Sequence, residues 1–143
     1  MAEVFIDTDV ALDIILQRVP HFGAAQNLID LGIEGEVELC LSESCLPNLV
    51  YITVEIYKAR WGIEKITELI EGSEILSAPK SIVLQALRSD FKDKEDAIQY
   101  YTALHHHCDF FITRNIKDYK SHASASLPAM TPVDFLKTHY PKP

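Results

Sequence analysis

Short β-prone apolar runs alternate with helically spaced segments along this chain, and that alternation restricts the fold more than any other feature of the sequence. Val4-Phe5-Ile6 ends at Asp7-Thr8-Asp9, after which Val10, Leu12, Ile14, Ile15 and Leu16 predict a helix until Pro20. Phe22, Ala25, Leu28, Ile29 and Ile33 recur at helical spacing, and Gly32 and Gly35 close that segment. Residues 37–41 read as a strand entering a buried sheet, with Ser42 or Ser44 capping a long helical segment that runs through Trp61. Another helix is expected over 63–70, a short strand at Glu74-Ile75-Leu76, and a helix from Pro79 through Leu87. A helix beginning near Asp93 carries Ala97, Tyr100, Tyr101 and Leu104 on one side and leads into Phe110-Phe111-Ile112, the most strand-like run in the chain. Thr131-Pro132-Val133-Asp134 combines a capping residue, a proline at the first helical position and an acid at N3, so 135–139 should be a short helix. Residues 121–126 form the most loop-like stretch. Strands separated by helices imply an α/β fold with a central, mainly parallel sheet of about four or five strands, flanked by helices in three α/β/α layers.

Length allows one such unit. At 143 residues and 48% hydrophobic content, the chain reads as a single domain over 1–143. No uninterrupted apolar run reaches the roughly 18 residues of a membrane span, and the amino-terminal segment meets Asp7 and Asp9 at once, so a cytoplasmic protein with no membrane partner is expected. Cys40, Cys45 and Cys108 are odd in number and lack CxxC spacing, which points to reduced, buried thiols. The net charge of −8 argues against indiscriminate gripping of nucleic-acid phosphates. Much of the excess, including Glu34, Glu36, Glu38, Glu64, Glu68 and Glu71, reads as solvated surface.

In a parallel sheet, ligands bind beyond the carboxyl ends of the strands. Asp7 follows the first strand and Thr113-Arg114-Asn115 follows the Phe110 strand, so two strand ends bring polar groups together. Asp93-Lys94-Glu95-Asp96 opens the intervening helix, where acids also serve as caps and complement the helix dipole, worth about 0.3–1 kcal/mol per charge.

The segments VFIDTDVALDI and KEDAIQYYTALHHHCDFFITRNIKDY resemble the two signature regions of PIN-domain nucleases, the family that includes the toxin ribonucleases of VapBC toxin–antitoxin pairs. The first is similar to a strand followed by D-T-N-V, the second to a D-A-x-x-x-x-x-A helix followed by a strand and T-R-N/D. MTPVDFLKTHY is similar to the family's closing T-P-x-x-F-L segment, whereas 51–89 contributes little to the likeness. The resemblance implies Asp7 and Asp96 as carboxylates for Mg²⁺ or Mn²⁺. Asn115 stands at the fourth acidic site, with Asp118 one turn on to supply the missing carboxylate. Asn48 stands where the second acid is expected. Asp9 and Asp93 are supporting acids. Thr8 and Thr113 are hydrogen-bonding partners of the carboxylates or of water. Arg114 either meets a phosphate or pairs with a neighbouring acid.

The activity implied is metal-assisted hydrolysis of RNA phosphodiesters, with an antitoxin and a second copy of the chain as partners. The alternative is a catalytically impaired scaffold that binds RNA or protein without cutting. A flavodoxin-like nucleotide-binding domain has the same layering but finds no glycine-rich phosphate loop here. Lys92, Lys94, Lys117 and Lys120 lie around the acidic motifs and offset their charge. His105-His106-His107 point in different directions on a helix and read as structural. Cys108 has no evident base to make it a nucleophile. Helical spacing assigns Tyr51, Tyr57 and Trp61 to core packing or a dimer contact rather than to base stacking.

Overall fold

Strand β1 (Ala2–Ile6) runs straight into helix α1 (Thr8–Leu16), and α2 (Phe22–Ile33) leads to β2 (Val37–Ser42) in the computed structural model, which describes residues 1–141. A 3₁₀ turn (Glu43–Cys45), capped by Ser42 at the Ser44 N–H, opens α3 (Leu46–Tyr51). Then come α4 (Gly62–Glu71), β3 (Glu74–Leu76), α5 (Lys80–Leu87), α6 (Lys94–His105), β4 (Phe110–Ile112), α7 (Ile116–Lys120), β5 (Ala129–Met130) and α8 (Pro132–His139). The strands form one sheet in the order β3-β2-β1-β4-β5, and all four pairings are parallel. The expected α/β class is correct, and the sheet has five strands.

Strand periodicity builds two cores. On β1, Val4 and Ile6 face one way and Phe5 the other; on β4, Ile112 and Phe111 divide in the same manner. Val4, Ile6, Leu39, Leu41 and Ile112 pack against Val10, Ile15, Leu28, Leu49, Ile66 and Phe135 from α1, α2, α3, α4 and α8. On the opposite face Phe5 stacks on Phe111, with ring centroids 5.2 Å apart, beneath Ala86, Ala97, Tyr100 and Tyr119 from α5, α6 and α7. Cys40, Cys45 and Cys108 are buried and unbridged, as expected.

Three details depart from the sequence reading. The segment expected to be helical through Trp61 continues beyond α3 as a π-helical turn (Ile52–Ile56), then breaks at Lys58, whose φ is 54°. Tyr51, Tyr57 and Trp61 stand about half exposed, which corrects the core-packing half of their expected role and leaves the dimer contact. The two-residue strand β5 is too short to show alternation, and only its pairing with Phe111 and Ile112 makes it a strand. Elsewhere the expected caps hold: Thr131 accepts from the Asp134 N–H at the start of α8.

Gly62 matters to this arm. A Cβ there would collide with Thr53 Cγ2, and Thr53 is fully buried. Replacing Gly62 by Ala is expected to destabilise the protein by about 1–3 kcal/mol through overpacking, measured as a lower urea midpoint, whereas Gly23→Ala, with nothing near its Cβ, should leave the midpoint within about 0.5 kcal/mol.

Candidate active site

The chain builds outward from β1 through β2 to β3, then returns to the other side of β1 for β4 and β5. The crevice beyond the carboxyl ends of β1 and β4 is therefore the point where the topology switches direction. Asp7 closes β1 there. Its N–H donates to the Ile112 carbonyl at 3.1 Å, and its carboxylate accepts from the Val10 N–H at 3.0 Å, making it the N-cap of α1. Asp7 is only 3% exposed. Thr113, fully buried at the end of β4, contacts Asp7 through its hydroxyl and accepts from the Asn115 N–H at 3.0 Å.

Helix α6 brings in the second carboxylate. Asp93 caps it, accepting from the Asp96 N–H at 3.1 Å, so the capping role expected of this cluster is present. The same cap sets Asp96 in the first turn, half-buried and close enough for its charge to act on Asp7. One turn further, the buried Gln99 accepts from the Thr8 N–H at 3.0 Å and so ties α6 to the start of α1.

Burial dominates the electrostatics. It pushes the Asp7 carboxyl up to about 7, with the charges of Asp9 and Asp96 adding to the rise and hydrogen bonds from Thr113 and Val10 opposing it. Burial and then the charge of Asp93 raise Asp96 to about 6. Among the described residues, neither carboxylate has an ion-pair partner. The two nearby guanidiniums are engaged elsewhere: Arg18 Nε and Arg114 Nε both bond the buried Asp13 carboxylate, at 2.8 and 2.7 Å. Of the two readings of Arg114, the ion pair with a neighbouring acid is present, to Asp13. Its Nη1 also reaches His21 Nε2 at 3.4 Å.

The remaining predicted residues lie around this centre in different roles. Asp9 is exposed, 3.8 Å from Arg18 Nη2. Asn48, on α3, donates to Glu95 Oε1 at 2.9 Å. Asn115 donates its side-chain amide to Asp118. Asp93, Asp96 and Asp118 line a cleft of about 390 Å³ together with Lys92, Lys117 and His122. A larger groove of about 720 Å³ between α2 and α8 is bordered by none of these residues. His106 is structural, meeting the Ser77 carbonyl at 2.6 Å.

Gln99, Tyr119 and Asp13 are not singled out by the sequence, and Glu95 only as a member of the acidic cluster that opens α6. Gln99 alone carried a signal, as a polar residue one turn after Asp96 on the inward side of α6. Three buried side-chain atoms around the carboxylates lack a hydrogen-bond partner: Thr8 Oγ1, Gln99 Nε2 and Tyr119 Oη. Thr8 has only the weakly bonding Cys45 thiol beside it, and Tyr119 faces Asp96 without forming a well-directed bond. One buried and one half-buried carboxylate, neither with a basic partner among the described residues, beside unused neutral polar groups, fit a hydrated hard cation. Among the described residues no three His, Cys, Asp or Glu side chains enclose such an ion alone, and Mg²⁺ commonly uses one or two carboxylates with water completing its shell.

The model of the PIN-domain family matches residues 3–117. This chain belongs to the PIN-domain family. The PIN domain is 25% identical to ribonuclease VapC1 of Aquifex aeolicus (strain VF5) over 138 residues, 93% of this chain and 92% of that protein. Its fold is similar to VapBC2 from Rickettsia felis, solved with a promoter DNA fragment, at a TM-score of 0.69 and 17% identity over 90% of this chain and 98% of the other. It is also similar to a toxin–antitoxin complex from Klebsiella pneumoniae, at 0.63 and 20% identity over 90% and 97% of the two chains. The sarcin–ricin-loop-cleaving toxin VapC20 of Mycobacterium tuberculosis matches at 0.66 and 12% identity over 85% and 96%. These identities speak to the fold alone. No helix among the described residues of this PIN domain is long and apolar enough to cross a membrane.

The Asp7 shift has a thermodynamic sign. An acid whose folded value is raised above its unfolded value binds more protons folded, so the stability it confers is present below about pH 4 and is lost as pH rises through about 7. Asp7→Asn, which keeps a capping side chain, is expected to stabilise the metal-free protein at pH 8 by on the order of 1–3 kcal/mol and to have little effect at pH 4. Thermal melts in EDTA at the two pH values test this; an Asn variant less stable than wild type at pH 8 would contradict the assignment of Asp7 as an unpaired buried carboxylate.

Proposed function

We propose that this chain is a single-domain, metal-dependent endoribonuclease that works in the cytoplasm as the toxin of a toxin–antitoxin pair. One observation carries the reading. Asp7 and Asp96, delivered by different elements to the switch point of the sheet, are both raised toward neutrality, and neither has a basic partner among the described residues. The similarity to ribonuclease VapC1 supports RNA as the substrate, and the toxin–antitoxin neighbours support an antitoxin as partner. A homodimer accords with the half-exposed Tyr51, Tyr57 and Trp61, which offer apolar surface for a protein contact.

Asp7 and Asp96 would hold Mg²⁺ or Mn²⁺, with Asp118 reaching it directly or through water from the rim of the cleft. The bound ion supplies Lewis acidity toward the phosphate and a water nucleophile at neutral pH. Thr113 steadies the Asp7 carboxylate, Asp93 holds the first turn of α6 in place, and Gln99 fixes α6 against α1. Asn48 and Asn115 each hold a neighbouring acid, Glu95 and Asp118, so the carboxylates absent from two family positions are replaced by acids one side chain away. Lys92 and Lys117, on the wall of the cleft, meet the phosphates that flank the scissile bond.

Because both carboxylates must be ionised to bind a cation, cleavage should weaken as pH falls through about 7 and then 6. The direct test is a panel of labelled single-stranded RNAs incubated with Mn²⁺, Mg²⁺ or EDTA. Wild type should cut only with metal, and Asp96→Asn should lower the rate by a factor on the order of 10²–10³. Metal-independent cleavage, or equal rates for the two proteins, would contradict the proposal. Binding of RNA without cleavage under any condition would favour the impaired scaffold, the reading that the asparagines at 48 and 115 support.

A further inference from the structure

Two fully buried tyrosines share the aromatic cluster on the α6 face of the sheet, and their hydroxyls are treated differently. Tyr100 Oη donates to the Leu127 carbonyl at 2.8 Å and accepts from the Ser124 N–H at 2.7 Å, so its polar end closes the loop before β5. Tyr119 is fully buried, yet its hydroxyl has no partner of normal geometry. A buried hydroxyl left unpaired costs about 1–3 kcal/mol, and phenylalanine would fill the same space without that cost. The Tyr119 ring is fixed by its neighbours: its centroid lies 4.7 Å from Phe111, 5.6 Å from Phe91 and 6.0 Å from Tyr100. Rigid packing of this kind leaves the hydroxyl no freedom to turn toward another partner, and the side chains it faces are Asp96 and Asp7.

We propose that Tyr119 is a positioning residue of the carboxylate site, its hydroxyl held by the aromatic cluster to donate a hydrogen bond to the Asp96 carboxylate, or to water beside it, when a divalent cation is bound. A phenol next to two carboxylates stays protonated, so toward them it acts as a donor. A donor to one carboxylate oxygen aligns the other oxygen for the cation, and outer hydrogen bonds of this type commonly change metal affinity 10- to 100-fold. This inference rests on the metal-site reading above.

Mn²⁺ titration calorimetry and thermal melts with and without Mn²⁺ on the full-length wild type and Tyr119→Phe separate the two. The metal-free variant should melt no lower than wild type, since an unpaired hydroxyl is removed, while its Mn²⁺ dissociation constant should rise about tenfold and its Mn²⁺-induced gain in melting temperature should shrink. Unchanged Mn²⁺ affinity in the variant, with a wild type that binds Mn²⁺, overturns the role of Tyr119 alone. A metal-free variant that melts several degrees lower with wild-type affinity assigns the hydroxyl to structure and also overturns it. A wild type that binds no Mn²⁺ overturns the metal-site reading, and this inference with it.

Discussion

The burial of Asp7 is the constraint on which the rest of the site depends. Its backbone continues the β1–β4 pairing through the Ile112 carbonyl and its side chain starts α1, so it cannot move into solvent without loosening both. A carboxylate in that position is desolvated by construction, and hydrogen bonds from Thr113 and Val10 offset only part of the cost. Helix α6 adds to the strain rather than relieving it, because Gln99 and Asp93 place Asp96 nearby with the same sign of charge. An arrangement that raises two acids toward neutral pH costs stability in the metal-free protein and is the kind of expense found at functional sites.

The nearby cations are held away by the same architecture. Asp13, on α1 and 1% exposed, takes both Arg18 and Arg114. Arg114 follows Thr113 directly, and its guanidinium is fixed on Asp13. The asparagines at 48 and 115 act similarly on acids, each fastening a carboxylate on a neighbouring element or turn.

Much of this was legible in the sequence because local rules and global fold agree. Asp7 after a β-prone run, Asp93 three residues before Asp96, and Thr131 before Pro132 are caps that mark element boundaries as well as chemistry. What escaped depends on partners distant in the chain. Gln99 meets Thr8 across 91 residues, and nothing in the helical pattern around it reveals that contact. Arg114 left two readings open because the choice rested on Asp13, 101 residues earlier. The break at Lys58 and the strand at Ala129–Met130 lack periodicity of their own, so tertiary pairing and packing decide them. Tyr119 looked like one more aromatic residue until its hydroxyl could be compared with that of Tyr100.

The central claim is that Asp7 and Asp96 together form a divalent-cation site. Crystals of the protein grown with Mn²⁺ and measured at a wavelength where manganese scatters anomalously test it most directly. The account predicts an anomalous peak at the Asp7 and Asp96 carboxylates, with Tyr119 Oη within hydrogen-bonding distance of Asp96 or of a water beside it. A peak confined to the His105–His107 region or the exposed acids, with Asp7 left without metal, would contradict it.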